Sequence, residues 1–168
     1  MNIQFQKATF SDASKLRQIR LAALKDAPYA YGAKYEVDKD KPISFWQESL
    51  EISNWFFASI DDEDIGLIGV EKAGADRISD CWIFGWWIAQ PYRGQGVVKL
   101  MLDEIDKFCL KNNWLHQGLG VWPENQRAVA AYTKLGFVSG KELIPSRSIP
   151  DQMYLPMYRH LKQKYIED

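Results

Sequence analysis

The stretch WWIAQPYRGQGVVKL, residues 86–100, sets an arginine and two glycines, Arg93, Gly94 and Gly96, between an apolar run and a helix-patterned run. Glycine adopts positive φ freely and lets a backbone come close to a ligand. The first amides of the following helix, at Val97 and Val98, have no partners inside the helix and carry the positive end of its dipole. A strand, a glycine turn and a helix start therefore form a cradle for an anion, phosphate above all. Arg93 can add charge-assisted hydrogen bonds. Two common phosphate loops do not fit. Gly94 is followed five residues later by Lys99 rather than glycine, against GxxxxGK[ST], and Lys99 also takes the third glycine position of GxGxxG. The plainer reading of Arg93–Val98 is a tight turn ahead of a helix.

The elements that must position this loop can be read on both sides of it. NIQFQK alternates as a first strand, Asn2–Lys7, and SDASKLRQIRLAALKDAP reads as a helix capped by Ser11 and stopped at Pro28. Ser44 and Gln47 have capping-box spacing at the start of a second helix. WFFASI and IGLIGVEK flank the acidic turn DDED as a β-hairpin. Ile78–Ala89 reads as a long strand buried on both faces. Past the loop, Val97, Met101, Ile105 and Phe108 form a helical stripe that Val98, Leu102 and Cys109 widen. LHQGLGVW is a further strand, NQRAVAAYTKL a helix closed by Gly136, and FVSG and QMYLPMY two last strands. The tail YRHLKQKYIED reads as helical or frayed. The expected order is β-α-α-β-β-β-α-β-α-β-β.

Composition narrows the classes. A chain of 168 residues, 46% hydrophobic, fits one domain, 1–168, with a sizeable core. A net charge of −1 supplies no electrostatic footprint for nucleic acid or an anionic membrane. No apolar run approaches the ~20 residues that span a bilayer, and the first residues lack the pattern of a signal peptide. Cys81 and Cys109 are too few for a disulfide framework, so free thiols in a cytoplasmic protein are expected.

The sequence resembles the GNAT (GCN5-related N-acetyltransferase) family. Arg93, Gly94, Gln95, Gly96, Val97 and Val98 match that family's phosphate loop, [RQ]xxGx[GA] after a long strand, with Val98 where glycine or alanine is usual. Asn125, Ala128, Tyr132, Gly136 and Phe137 match its second motif, N-x-x-A-x-x-x-Y-x-x-x-G-F. Both motifs in order, with the element order, carry the resemblance over nearly the whole chain. It implies a mixed α/β fold, a mostly antiparallel central sheet flanked by helices, with acetyl-CoA as donor and an amine as acceptor. No metal is implied. The pyrophosphate would sit on the amides of Gly94–Val98, and the pantetheine arm would pair with strand backbone at Trp87, Ile88 and Ala89. An amide near Ile88 would polarise the thioester carbonyl.

The resemblance further implies direct transfer between two substrates held together, so rate comes from positioning and from handling two protons. Tyr132 matches the acid that protonates the departing thiolate; the other reading of Tyr132 is a ring packed in the core. Asn125 is a helix cap with a second role as cofactor contact. For the base, Glu71 is the candidate and Asp80 lies at the far end of the strand; both also read as solvated strand ends. His116 and His160 read as surface residues. The aromatic loop with Tyr29, Tyr31 and Tyr35 borders the acceptor pocket. Trp82, Phe84 and Trp86, on one strand face by period two, form its floor or ordinary core. A small-molecule amine is the expected partner, with a homodimer as candidate assembly. Other readings are a protein or peptide N-acetyltransferase, a non-catalytic acyl-CoA sensor or interaction module, and a nucleotide enzyme disfavoured by both failed phosphate patterns.

Overall fold

The computed structural model describes residues 1–162. Its sheet has eight strands: β1 (Gln4–Lys7), β2 (Asn54–Ile60), β3 (Glu63–Lys72), β4 (Cys81–Ile88), β5 (His116–Val121), β6 (Val138–Ser139), β7 (Ile144–Pro145) and β8 (Met153–His160). The spatial order is β1-β2-β3-β4-β5-β8-β6, with β7 on β8. The β4–β5 pair is parallel and the other pairs are antiparallel. The helices are α1 (Ala13–Asp26), α2 (Tyr35–Asp38), α3 (Ile43–Ile52), α4 (Val97–Lys111) and α5 (Gln126–Lys134). The expected order is present, with two short additions, α2 and β7.

Each sheet face carries its own core. Leu16, Ile19 and Leu24 of α1 and Trp46 of α3 pack on Trp55, Phe57 and Leu67. On the opposite face, Val97, Met101, Leu102, Ile105 and Cys109 of α4 pack on Phe56, Ile68, Val70 and Ile83. Trp55 and Phe57 against Phe56 is the two-residue alternation of a strand buried on both sides. Val98 lies only half-buried, outside this cluster. One helical step beyond Val97 carries it off the core face, so the stripe is narrower than its pattern suggests.

Several boundaries move for local reasons. Ser11 does not cap α1. Asp12 does the local work by accepting the Thr9 N–H at 2.7 Å and the Thr9 hydroxyl at 3.0 Å, across a 3-10 turn at Phe10–Asp12. Helix α3 starts one residue before Ser44, with Pro42 as N-cap and no side-chain cap bond, so no Ser44–Gln47 capping box forms. β4 begins at Cys81 because Ile78, 75% exposed, belongs to the preceding loop. Only Cys81, Trp82 and Ile83 are fully buried in β4; Phe84–Ile88 are half-buried. His160 lies in β8 opposite His116, not in a tail; the reading of the tail as helical or frayed falls partly on residues 163–168, outside the described residues. Gly136, φ 95°, closes α5 as its position requires. The DDED turn places Asp61 and Asp62 at φ 48° and 66°, the left-handed conformation of a tight hairpin that aspartate tolerates.

Candidate active site

The site opens where two strands part. β4 and β5 pair only over Cys81–Ile83 against Gln117–Leu119. Beyond that, the β5-facing edge of β4 has no strand partner among the described residues. On its other edge the register with β3 slips between Leu67 and Gly69, a β-bulge around Gly85 and Trp86. Gly85 has φ 61°, and a Cβ there would lie 2.7 Å from the Trp55 ring. Gly85→Ala combines left-handed strain with overpacking and should destabilise the fold by about 3 kcal/mol, read as a lower urea midpoint.

The bulge overturns one expectation. Trp82, Phe84 and Trp86 do not share a face. The inserted residue turns Trp86 onto the α4–α5 side, where it stacks on Tyr132 with ring centroids 5.7 Å apart, while Phe84 stays on the α1 side against Trp55. The Tyr31 hydroxyl holds the bulge by donating to the Trp86 carbonyl at 2.8 Å.

Backbone alternation sorts the three strand residues expected to meet the cofactor. The Ala89 N–H donates to the Ile65 carbonyl at 2.8 Å. Trp87, two residues earlier and opposite Leu67, therefore also turns its N–H toward β3. Its indole donates to Asp26 at 2.9 Å. Of Trp87, Ile88 and Ala89, Ile88 alone presents its N–H to the open edge. Its carbonyl accepts from Arg93 Nε at 2.8 Å.

The glycine loop follows directly. Gly94 and Gly96 have φ 74° and 81°, and a Cβ added at either meets no protein atom within 4 Å. No packing demands glycine there; the left-handed backbone does. Helix α4 has no side-chain cap at its N-terminus, so its orphan amides face outward beside the two glycines. This arrangement fits a pyrophosphate. Gln95 folds back to the Pro91 carbonyl at 2.7 Å. Arg93 is placed differently from expectation: its guanidinium pairs with Asp26 and braces the loop against the end of α1. The Trp87 and Arg93 hydrogen bonds hold the Asp26 carboxyl below its usual pKa.

A cavity of about 290 Å³ occupies the cleft between the parted strands. Its wall includes Tyr132 and Glu71, the two residues expected to move protons, together with Tyr31, Trp82 and Phe84. Tyr29 is not among them. It is 68% exposed and borders a shallower groove with Trp122 and Gln152, because the turn at Pro28–Ala30 points it outward while Tyr31 turns in. Burial pushes the Tyr132 phenol up to about 12. Glu71, opposite Trp82 at the end of β3, accepts from Ser53 Oγ at 2.9 Å and from Arg147 Nη1 at 3.1 Å. Asp80 instead accepts the Leu115 and His116 amides, both at 2.8 Å, and anchors the start of β5. Asn125 caps α5, its Oδ1 accepting from the Ala128 N–H at 3.2 Å, and also borders the cavity.

Three charged residues of the cavity wall carry no signal in the sequence: Arg20, Arg77 and Arg147. Arg20 falls among the charged residues of α1, and the other two lie in loops, where no periodicity marks a residue as inward-facing.

Among the described residues no helix is long and apolar enough to cross a membrane. Residues 16–137 match the family described as "Acetyltransferase (GNAT) family". Among solved structures, a GNAT-family acetyltransferase from Staphylococcus aureus Mu50 is similar at 19% identity and TM-score 0.72, over 96% of this chain and 100% of that one. PaiA N-acetyltransferase of Thermoplasma acidophilum, in complex with coenzyme A, is similar at 18% identity and TM-score 0.66, over 95% and 99%. Spermidine N-acetyltransferase of Vibrio cholerae, in complex with CoA and spermine, is similar at 15% identity and TM-score 0.70, over 94% and 95%. A mixed α/β fold with a mostly antiparallel sheet, an open strand edge running to an uncapped helix N-terminus, and a family match over most of the chain agree: this protein belongs to the GNAT acetyltransferase family.

Proposed function

We propose that the protein transfers the acetyl group of acetyl-CoA to the nitrogen of a small-molecule amine, with both substrates in the β4–β5 cleft at once. The observation that carries this reading is a continuous seam. The open edge of β4 leads from the cavity holding Tyr132 and Glu71, past the Ile88 N–H, to the amides of Gly94–Val98. When bound, acetyl-CoA supplies an activated thioester. The loop amides hold its pyrophosphate, with the left-handed glycines keeping side chains out of the way. The free edge at Ile88 takes the pantetheine amides as an added strand would, and an N–H there polarises the carbonyl.

Two protons must then move. Tyr132 gives one to the departing sulfur. Its ring is fixed by the Trp86 stack and by an edge contact to Phe137 at 6.1 Å. Glu71 takes the other from the incoming ammonium before the amine attacks. The proton left on nitrogen after the C–N bond forms and the C–S bond breaks returns to the Tyr132 phenolate. Ser53 and Arg147 hold the Glu71 carboxylate in place. The spermine bound in the Vibrio cholerae relative supports a small-molecule acceptor.

Calorimetric titration with acetyl-CoA, with ATP and NADH as controls, tests the donor. Thiol release across a panel of small amines and basic peptides tests the reaction. One-site binding of acetyl-CoA at about micromolar strength, near −8 kcal/mol, with thiol release on small amines is expected. Binding without release on any acceptor would make the protein an acyl-CoA sensor.

A further inference from the structure

We infer that the acceptor amine carries a carboxylate, and that Arg20 receives it. This rests on the acetyltransferase reading above and names its acceptor class. The cavity wall holds three arginines, Arg20, Arg77 and Arg147, and one carboxylate, Glu71, which Arg147 already binds. Arg20 is the unusual one. Its Nη1 is buried with no hydrogen-bond partner, 3.5 Å from where a Cβ on Gly85 would stand. The guanidinium lies 4.6 Å from the centre of the Tyr31 ring and 5.9 Å from that of Trp55, so rings rather than anions surround it. Burial lowers its pKa, with Tyr31 and the Asp38 carboxylate partly opposing. Asp38 acts through its field only; no ion pair joins it to Arg20 among the described residues.

Leaving a buried guanidinium unpaired is unfavourable, and the planar fork of arginine matches a carboxylate. An anion entering with the substrate completes the site. Arg77 reinforces the field. It stacks over Trp82 at 4.8 Å, pairs with Asp76 at 3.1 Å, and keeps a buried Nε without a partner. Glu71 and Asp76 offset Arg147 and Arg77 in ion pairs, and the unpaired Arg20 leaves the wall net positive. That charge opposes a polyamine, so the acceptor differs in class from the spermine of the Vibrio cholerae relative. Tyr31, Trp82, Phe84 and Tyr154 leave apolar and aromatic wall for the remainder of the molecule. The acceptor class is therefore an amino acid with an apolar or aromatic side chain.

The test pairs amino acids of that kind, phenylalanine and leucine among them, each with its decarboxylated amine, and adds spermine. In the wild type at least one amino acid should exceed its decarboxylated partner in kcat/KM by about 30-fold, the range of one hydrogen-bonded charge. Arg20→Gln should collapse that ratio, mainly through a higher KM for the acid, and Arg20→Lys should restore part of it. A decarboxylated amine or spermine preferred throughout would overturn the inference and leave the acetyltransferase reading standing. So would acetyl-CoA binding with no panel member acetylated, or a ratio unchanged in a folded Arg20→Gln. Failure to bind acetyl-CoA at all would instead remove the reading on which the inference rests. Because the wild-type ratio needs no variant, an Arg20→Gln chain that misfolds leaves the test intact.

Discussion

Tyr132→Phe should lower kcat by about 10²- to 10³-fold while changing acetyl-CoA affinity by no more than about threefold, the range expected for loss of one positioned proton donor. The substitution removes a hydroxyl and keeps the ring. Stacking on Trp86 and the edge contact with Phe137 are made by the ring, so the fold and the slot beside α5 persist. Binding and chemistry then separate, as they do when an interaction exists only in the transition state. The pH profile supplies a second reading of the same role. The acid must be protonated to act, and burial holds the Tyr132 phenol at about 12. The alkaline limb that an unshifted phenol would show from about pH 10 should therefore be missing up to about pH 10.5. The high pKa does not spoil the proton transfer, because a thiolate forming in the same poorly hydrated seam is disfavoured by the same desolvation. A profile falling with an apparent pKa near 10, or a Phe variant with full turnover, would take Tyr132 out of the chemistry.

What could be read in the sequence divides by the range of the interaction. The loop at Arg93–Val98, the cap at Asn125, the closure at Gly136 and the hairpin at Asp61–Asp62 are legible because each depends on a few adjacent residues and on backbone conformations that those residue types favour. The bulge at Gly85 is harder. IFGWW continues an apolar strand without a break, and its slip appears only in the pairing of β3 with β4. A glycine inside a strand was the available signal. Missing it puts Trp86 on the Phe84 face, whereas the tertiary structure stacks it on Tyr132. The loop arginine shows the same limit. Arg93 sits beside a phosphate cradle in sequence, yet Asp26, far away along the chain, claims its guanidinium. Arg20 is the extreme case. Its neighbours Arg17 and Lys15 are also charged, and nothing local distinguishes a solvated arginine from one closed over by Tyr31 and Trp55.

Gly96→Ala should weaken acetyl-CoA binding by about 100-fold or more, the equivalent of one or two charge-assisted hydrogen bonds to the loop, with a far smaller effect on the unliganded fold. The two consequences have different origins. At φ 81° an alanine carries left-handed strain of about 1–2 kcal/mol, which corresponds to a fall in Tm of several degrees. The added methyl meets no protein atom within 4 Å, so no packing term accompanies the strain. The affinity loss is larger because the methyl enters the open space beside the loop, where a phosphate held by the loop amides must approach closely to be bound at all. Gly85→Ala is the internal control. Its φ is also positive, but its Cβ meets Trp55 at 2.7 Å, so its main effect falls on stability. If Gly96→Ala bound acetyl-CoA as tightly as the wild type, the open space over the loop would not be the pyrophosphate site, and the seam from Ile88 to α4 would lose its role.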